Sequence, residues 1–250
     1  MIRLPAFYVA VQKFGQIPDI DAAETNEDVW DGTGAYLWPA VATAMTISSS
    51  SADDDGAPVG SGALTVRVHG LTTAGAEFTQ DVTLNGQAGV SIPISMYRVY
   101  RAYVMTAGTG GVNAGDIWVG TGAIGVGVPA VKYAGILTGM GQTLMAIYTI
   151  PTSLTDNTQI DGGVITRWYG TVGAGQAAFA TIALQTREPG GAWRTRRLAG
   201  IGEGGFFNEQ MDFGLSLPSL TDIRIRVTKN GVNNSNISAG FDMALRQEIS

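Results

Sequence analysis

Between residues 82 and 155 the chain carries four charged side chains, Arg98, Arg101, Asp116 and Lys132. A stretch that long cannot lie wholly inside a fold of 250 residues, and monomers keep large contiguous apolar patches off their surfaces. Part of it is therefore expected to face another subunit. Over the whole chain charged residues make up 14%, against about 25% in an ordinary soluble domain, and the 35 glycines are about twice the usual share. Few charges and many turn-forming residues point to an all-β chain of short strands. An apolar fraction of 45% with five tryptophans excludes disorder, which needs low hydrophobicity and high net charge.

Residues 1–28 hold an apolar alternation around Phe7, Val9 and Val11, then Asp19, Asp21, Glu24, Glu27 and Asp28, punctuated by Pro5 and Pro18. That pattern reads as an extended acidic arm. Nine acids and two bases lie within the first 60 residues, so the negative charge is concentrated at the front. Alternation then marks strands at Val41, Thr43, Met45 and Ile47, at Leu64, Val66 and Val68, and at Phe78, Val82 and Leu84 before the turn pair Asn85-Gly86. Tyr97, Tyr100 and Tyr103 are spaced three apart, and a strand and a short helical turn both fit them. Residues 117–137 are apolar, but five glycines, Pro129 and Lys132 do not suit a spanning helix, so strands and turns are expected there. Residues 143–150, 164–169, 179–184 and 223–227 read as further strands, the last alternating with Arg224 and Arg226. Turns fall at Pro189-Gly190-Gly191 and Asn230-Gly231. Short strands with such turns suggest one or two β-sandwich, jelly-roll-like domains behind the arm. The expected division is an arm over 1–28, a sandwich over 29–138 and a second over 139–250. A shared W-x-G-T-G-A at residues 30–35 and 118–123 fits duplication and chance about equally.

The chain has no cysteine and one histidine, His69. Disulfides, thiolate chemistry and a multi-histidine metal site are thereby excluded. The net charge of −6 disfavours nucleic acid, which requires a basic face. The opening Met1-Ile2-Arg3-Leu4-Pro5 lacks the apolar core of a signal peptide, so secretory export is not expected. Two G-x-G-x-x-G matches begin at Gly120 and Gly200. Neither precedes a helix N-terminus able to hold a pyrophosphate, and no nucleotide cofactor is expected. Asp53-Asp54-Asp55-Gly56 lacks the spacing and closing glutamate of a calcium loop, which leaves a solvated loop as the expectation. His69 sits on a strand without any G-x-S-x-G elbow in the chain, so a structural histidine is expected. Glu203, Glu209 and Asp212 with Trp168, Tyr169 and Trp193 have the composition of a sugar site, but large aromatics are more often core or interface. No catalytic, metal or cofactor residue is assigned. Arginine outnumbers lysine twelve to three. The cluster Trp193-Arg194-Thr195-Arg196-Arg197, joined by Arg187, Arg224 and Arg226, suits either a surface receiving an acidic arm from a neighbour or a solvated strand face.

At Trp30-Asp31-Gly32-Thr33-Gly34-Ala35-Tyr36, residues 48–55, Asn113-Ala114-Gly115-Asp116-Ile117, residues 141–151 and Ser238-Ala239-Gly240-Phe241-Asp242, the chain resembles virion structural proteins of tailed bacteriophages. The resemblance covers most of the chain and implies a non-enzymatic, β-rich particle component. Several head decoration, or cement, proteins of such phages are β-sandwich or jelly-roll trimers that clamp neighbouring major capsid subunits; tail, neck and fibre proteins share the style. It implies a homotrimer made in the host cytoplasm and seated on the capsid surface, with the major capsid protein as partner and neither nucleic acid nor membrane. Tyr97, Tyr100, Tyr103, Trp118, Trp193, Arg194, Arg196 and Arg197 are the expected interface residues. The alternative is a tail, neck or fibre component, or a carbohydrate- or receptor-binding module using Trp168, Tyr169 or Trp193.

Overall fold

The structure, a computed structural model, describes residues 8–173 and 179–248. Among them there are sixteen strands and no helix. In chain order these are β1 (Tyr8–Ile20), β2 (Glu27–Asp28), β3 (Thr46–Ser49), β4 (Ala63–Leu71), β5 (Glu77–Thr83), β6 (Val90–Ser91), β7 (Arg98–Ala107) and β8 (Ile117–Gly125). There follow β9 (Val128–Ile136), β10 (Ile147–Thr149), β11 (Ile160–Gly173), β12 (Ala180–Arg187), β13 (Arg194–Ile201), β14 (Phe206–Pro218), β15 (Asp222–Asn230) and β16 (Ser235–Gln247). The protein is all-β and sandwich-like, every sheet antiparallel.

The chain divides into two compact units. The first takes the described residues of Met1–Val29, Thr33–Ala35 and Ala146–Ser250; the second takes Trp30–Gly32 and Tyr36–Met145. The first unit has one sheet ordered β1-β16-β11-β14 and another ordered β10-β15-β12-β13, with β2 added on β15. Gly170 of one sheet faces Ile182 of the other across a space where a Cβ would not fit. Trp168, Ile182, Ile225, Ile237 and Phe241 fill that interior with no exposure. The second unit pairs a sheet ordered β6-β3-β8-β9 with one ordered β5-β4-β7. Ile47, Val66, Val68, Ile117, Val119 and Ile136 are its dry side chains.

Local chemistry accounts for the elements. In β15, Ile223, Ile225 and Val227 point inward while Arg224 and Arg226 occupy the other face, the period-two signature. Residues 117–137 form a hairpin of β8 and β9. Its two-residue loop, Val126-Gly127, has both residues at positive φ, 48° and 76°, which matches the right-handed twist of the flanking strands. Only glycine fits at 127, where a Cβ would lie 1.7 Å from the Ser49 carbonyl oxygen. Tyr100 and Tyr103 lie in strand β7 and Tyr97 in the bend just before it, so the helical alternative falls. Trp30 and Trp118 lie in a loop and a strand respectively, and the W-x-G-T-G-A echo is not a structural repeat.

Two expectations are corrected. From Tyr8 onward the supposed arm is part of the first unit. β1 pairs with β16 from Tyr8↔Arg246 to Ile20↔Ser235, and β2 pairs with β15. The acidic composition misled because its carboxylates serve the chain's own fold: Asp28 meets Arg224 and Arg226, while Asp21 and Glu27 accept from the backbone N–H groups of Asn234 and Gly34. The division expected at 138/139 instead falls at Met145/Ala146, and the N-terminal strands join the C-terminal half, since β1 completes a sheet whose other members come from residue 160 onward.

Candidate functional site

The arginine cluster is the natural starting point. Asp28 has no exposure and is bound by two arginines of β15. Arg226 donates to it through Nε at 2.7 Å and Nη2 at 3.0 Å, and Arg224 through Nη1 at 3.3 Å. Two-pronged guanidinium bonding of this kind is the strong form of an ion pair. Arg187 clasps Asp222 at 2.6 Å, and Asp222 also accepts from Thr149 at 2.6 Å. Trp193 lies beneath Arg224 and Arg187, 3.9 and 4.7 Å from ring centre to guanidinium carbon. Burial pulls the Arg224 guanidinium down to about 10, and Asp28 opposes that shift. Burial likewise pushes the Glu27 carboxyl above its ordinary value, against the hydrogen bond it accepts from Gly34. Asp28, the last acid of the segment, thus docks on arginines of its own chain.

β13 and β14 are the edge strands of the two sheets on one side of the first unit. Glu209 spans the mouth between them, accepting from Trp168 Nε1 at 2.7 Å and from Arg197 Nε at 3.3 Å. Trp168 is fully buried, and neither it nor Trp193 is an open sugar platform. Tyr169 lies over Gly240, where a Cβ would meet its hydroxyl at 2.6 Å. Burial raises its phenol, with Asp242 adding to the shift. Glu209 serves the sheet seam, one carboxylate oxygen bound by Trp168 and the other by Arg197.

Along residues 194–218 only Ile201, Met211 and Leu217 are buried. Leu198, Phe206 and Phe213 are 63%, 78% and 100% exposed. Phe213 stands on a bulge. The register of β14 on β11 jumps from Gln210↔Arg167 to Leu215↔Ile165, leaving residues 211–214 opposite the single residue Thr166, with Gly214 at φ 62°. Arg194 and Arg197 are exposed and Arg196 half-buried; Arg194 and Arg196 approach Glu188 at 3.8 and 3.5 Å.

In the second unit, Asp54 is wholly buried. Its carboxylate accepts from Ser49 Oγ at 2.5 Å and from the backbone N–H groups of Ala63, Ala114 and Gly115 at 2.6, 2.8 and 2.9 Å. Asp54 is therefore a loop-organising hub where a solvated loop was expected, and a cation there would confront donor hydrogens in place of oxygen ligands. His69 meets Thr79 through Nδ1 at 3.2 Å and stacks on Tyr103 at 5.6 Å, beside the two-pronged Arg67–Asp81 pair. That pair holds Asp81 below its usual value and Arg67 above its own.

The expected interface residues separate. Tyr100 and Trp118 are 6% and 5% exposed; Tyr100 donates to Glu77, and Lys132 lies over Trp118. Both belong to the interior of their own unit, which corrects their assignment as interface residues. Tyr97 is half-buried under Arg98, and Tyr103 is half-buried against His69 and Arg101. The charge-poor stretch owes its dryness in large part to β7, β8 and β9, whose buried side chains are core of the second unit. Exposed apolar residues remain in it, among them Met105, Val126 and Met140, but Phe206 and Phe213 lie outside it. Sequence reasoning missed Asp28, Asp54 and Glu209 as hubs; the matched acidic front and arginine cluster were the available signal for the first.

Among the described residues no group of three or more histidines or acids is placed to hold a metal ion. The Gly120 motif lies inside β8, and the Gly200 motif spans the end of β13 and its turn to β14. An open groove of about 640 Å³ in the second unit is lined by Val59, Gly60, Ser61, Leu64, Ala107, Gly108 and Thr109, without a titratable side chain. No described helix is long and apolar enough to cross a membrane.

No protein-family model matches the chain, and no curated protein matches it. Among solved structures it is similar to infectious bursal disease virus particles. T=1 particles derived from that virus match at 11% identity and TM-score 0.26, covering 96% of this chain and 69% of that one. The Gt strain matches at 12% identity and TM-score 0.22, covering 98% and 74%. A VP2 subviral particle matches at 10% identity and TM-score 0.19, covering 96% and 71%. At such TM-scores these likenesses carry no argument about this chain.

Proposed function

We propose that this protein is a non-enzymatic virion structural component of a tailed phage, a capsid decoration or cement protein that binds the assembled head shell as a homo-oligomer. The observation that carries the reading is the pair of edge strands β13 and β14, along which Leu198, Phe206 and Phe213 stand in solvent. Among the described residues each of these strands leaves one edge of its sheet unpaired, and an open edge carrying exposed apolar side chains invites association. The side chains with chemical potential support the same reading, because Asp28, Asp54 and Glu209 are committed to holding strands and loops together. The likeness of the sequence to phage virion proteins supplies the particle.

The mechanism is thermodynamic. A protein that binds the closed shell but not its separated subunits stabilises the shell by mass action, and repeated weak contacts add through multivalency. The test adds purified protein to shells lacking it and follows heat release of the packaged genome. Saturable binding with raised heat resistance is the expected result. Absence of binding to shells, or labelling confined to the portal vertex, overturns the decoration role and favours a tail or neck position.

A further inference from the structure

The sheet ordered β1-β16-β11-β14 has a second face, turned away from the core. Its register puts Phe14, Gly240, Tyr169 and Asn208 on one rung, and Gln12, Asp242, Arg167 and Gln210 on the next. Side chains alternate along each strand, so these two rungs share a face, opposite the one that buries Trp168 and Phe241. Gly240 is buried although it points outward, because Tyr169 leans over it; a Cβ there would meet the Tyr169 hydroxyl at 2.6 Å and Cζ at 2.7 Å. The ring thus lies along the sheet, half-buried, in a place that only a glycine leaves open. Phe14 flanks it at the β1 edge, 45% exposed. At the other edge stands the exposed Phe206, two residues from Asn208 and so the diagonal neighbour of Tyr169.

Planar polar side chains surround these rings. Arg167 donates to Asp242 at 2.7 Å, and its guanidinium carbon lies 5.0 Å from the Tyr169 ring centre. Gln12 and Gln210 flank that pair, both exposed, and Asn208 is exposed beside Tyr169. The charges at the centre of the face are matched, and so are Arg246 and Asp161 nearer its end, 3.1 Å apart. A surface whose charges are paired internally holds little attraction for nucleic acid or a charged peptide. Its rings are also set among amides and an ion pair, whereas the core of a protein interface is depleted of charged groups. A sugar chain has the complementary chemistry. Each pyranose offers a C–H face that stacks on an aromatic ring and a rim of hydroxyls that donate to carboxylate and amide oxygens and accept from amide and guanidinium N–H groups. We propose that the outer face of this sheet binds an uncharged glycan, which stacks on Tyr169 and hydrogen-bonds to Gln12, Asn208, Gln210 and the Arg167–Asp242 pair. From β1 to β14 the face is about 14 Å wide by strand spacing, room for a short oligosaccharide lying across the strands between Phe14 and Phe206. The inference goes beyond the decoration role and holds wherever in a virion the chain sits; many copies on one particle would add weak single-site contacts through multivalency.

The test applies the full chain to an array of neutral and anionic glycans, bacterial surface polysaccharides among them, and measures affinity by electrophoresis through gels containing the polysaccharide retained. Binding to at least one neutral glycan is the expected result. Tyr169→Ala should weaken it at least about tenfold, while Tyr169→Phe, which keeps the ring, retains most of it. Gln12→Ala and Gln210→Ala, at exposed positions that leave the core untouched, should each weaken it severalfold, and Leu198→Ser, on the other sheet, should leave it unchanged. Melting curves confirm that each variant folds. Absence of binding to every neutral glycan overturns the proposal, and so does binding that survives both Tyr169→Ala and Gln210→Ala. Binding confined to anionic glycans and lost in salt also overturns it. If no glycan binds and the same variants lose binding to shells, the face belongs to a protein partner and the glycan site is refuted. Glycan binding by a chain that ignores shells leaves this inference standing and removes the decoration role.

Discussion

Single carboxylates organise this protein. Asp54 gathers four donors from three chain segments with its two oxygens. Replacing it with asparagine turns an amide N–H₂ toward backbone N–H groups, and the Asp54→Asn variant should lose about 3 kcal/mol of stability, read as a lower urea midpoint. Because donor hydrogens already fill the site, calcium or chelator should leave its melting temperature unchanged. Glu27 behaves in the opposite sense. Burial raises its folded-state value above the unfolded one, so the folded state favours the protonated acid. The associated stability is complete below the ordinary carboxylate value near 4.5 and is lost as pH rises through the raised value. Glu27→Gln should therefore melt higher than the wild type at neutral pH, and the difference should shrink toward zero as the solution is acidified below the ordinary value. A difference that does not change with pH would contradict the burial argument.

At the scale of elements, the N-terminal strand and the edge seam are where the structure departs most from expectation. β1 runs thirteen residues along β16 and is followed by the Asp28 contact to β15. Deleting residues 1–28 removes an edge strand and leaves Arg224 and Arg226 without their shared carboxylate. Breaking a buried pair from one side costs about 3–5 kcal/mol; the truncated first unit is expected to be unfolded at room temperature by near-ultraviolet circular dichroism, where a mere tether would be dispensable. At the seam, Glu209→Ala strips the buried Trp168 indole of its acceptor and should cost about 1–3 kcal/mol. Arg197→Ala removes only an exposed ion pair, worth about 0–1 kcal/mol. Equal thermal shifts for the two variants would mean that Glu209 acts through the ion pair alone.

For the whole molecule, two compact units with separate cores imply two unfolding events. Each unit has its own pair of sheets and its own buried carboxylate hub, Asp54 in the second and Asp28 in the first. Calorimetry should resolve two transitions, with Asp54→Asn lowering one and Asp28→Ala lowering the other. A single transition shifted equally by both variants would show that the units unfold together.

The sequence by itself determined the class of the protein. Alternation of side chains is local, so β4, β12 and β15 were legible from their own residues, as were strands and turns in place of a helix over 117–137 from its glycines and proline. Low charge likewise announced a large dry area. Tertiary structure alone decided what makes that area dry and where each charge goes. Asp28 meets partners 196 and 198 residues away, and no local pattern encodes a pairing at that separation. The same holds for Glu209, whose role depends on two edge strands from different sheets lying side by side. Periodicity specifies which face of a strand is apolar. Only the packing of one sheet on another specifies whether that face is covered by its own chain or left bare.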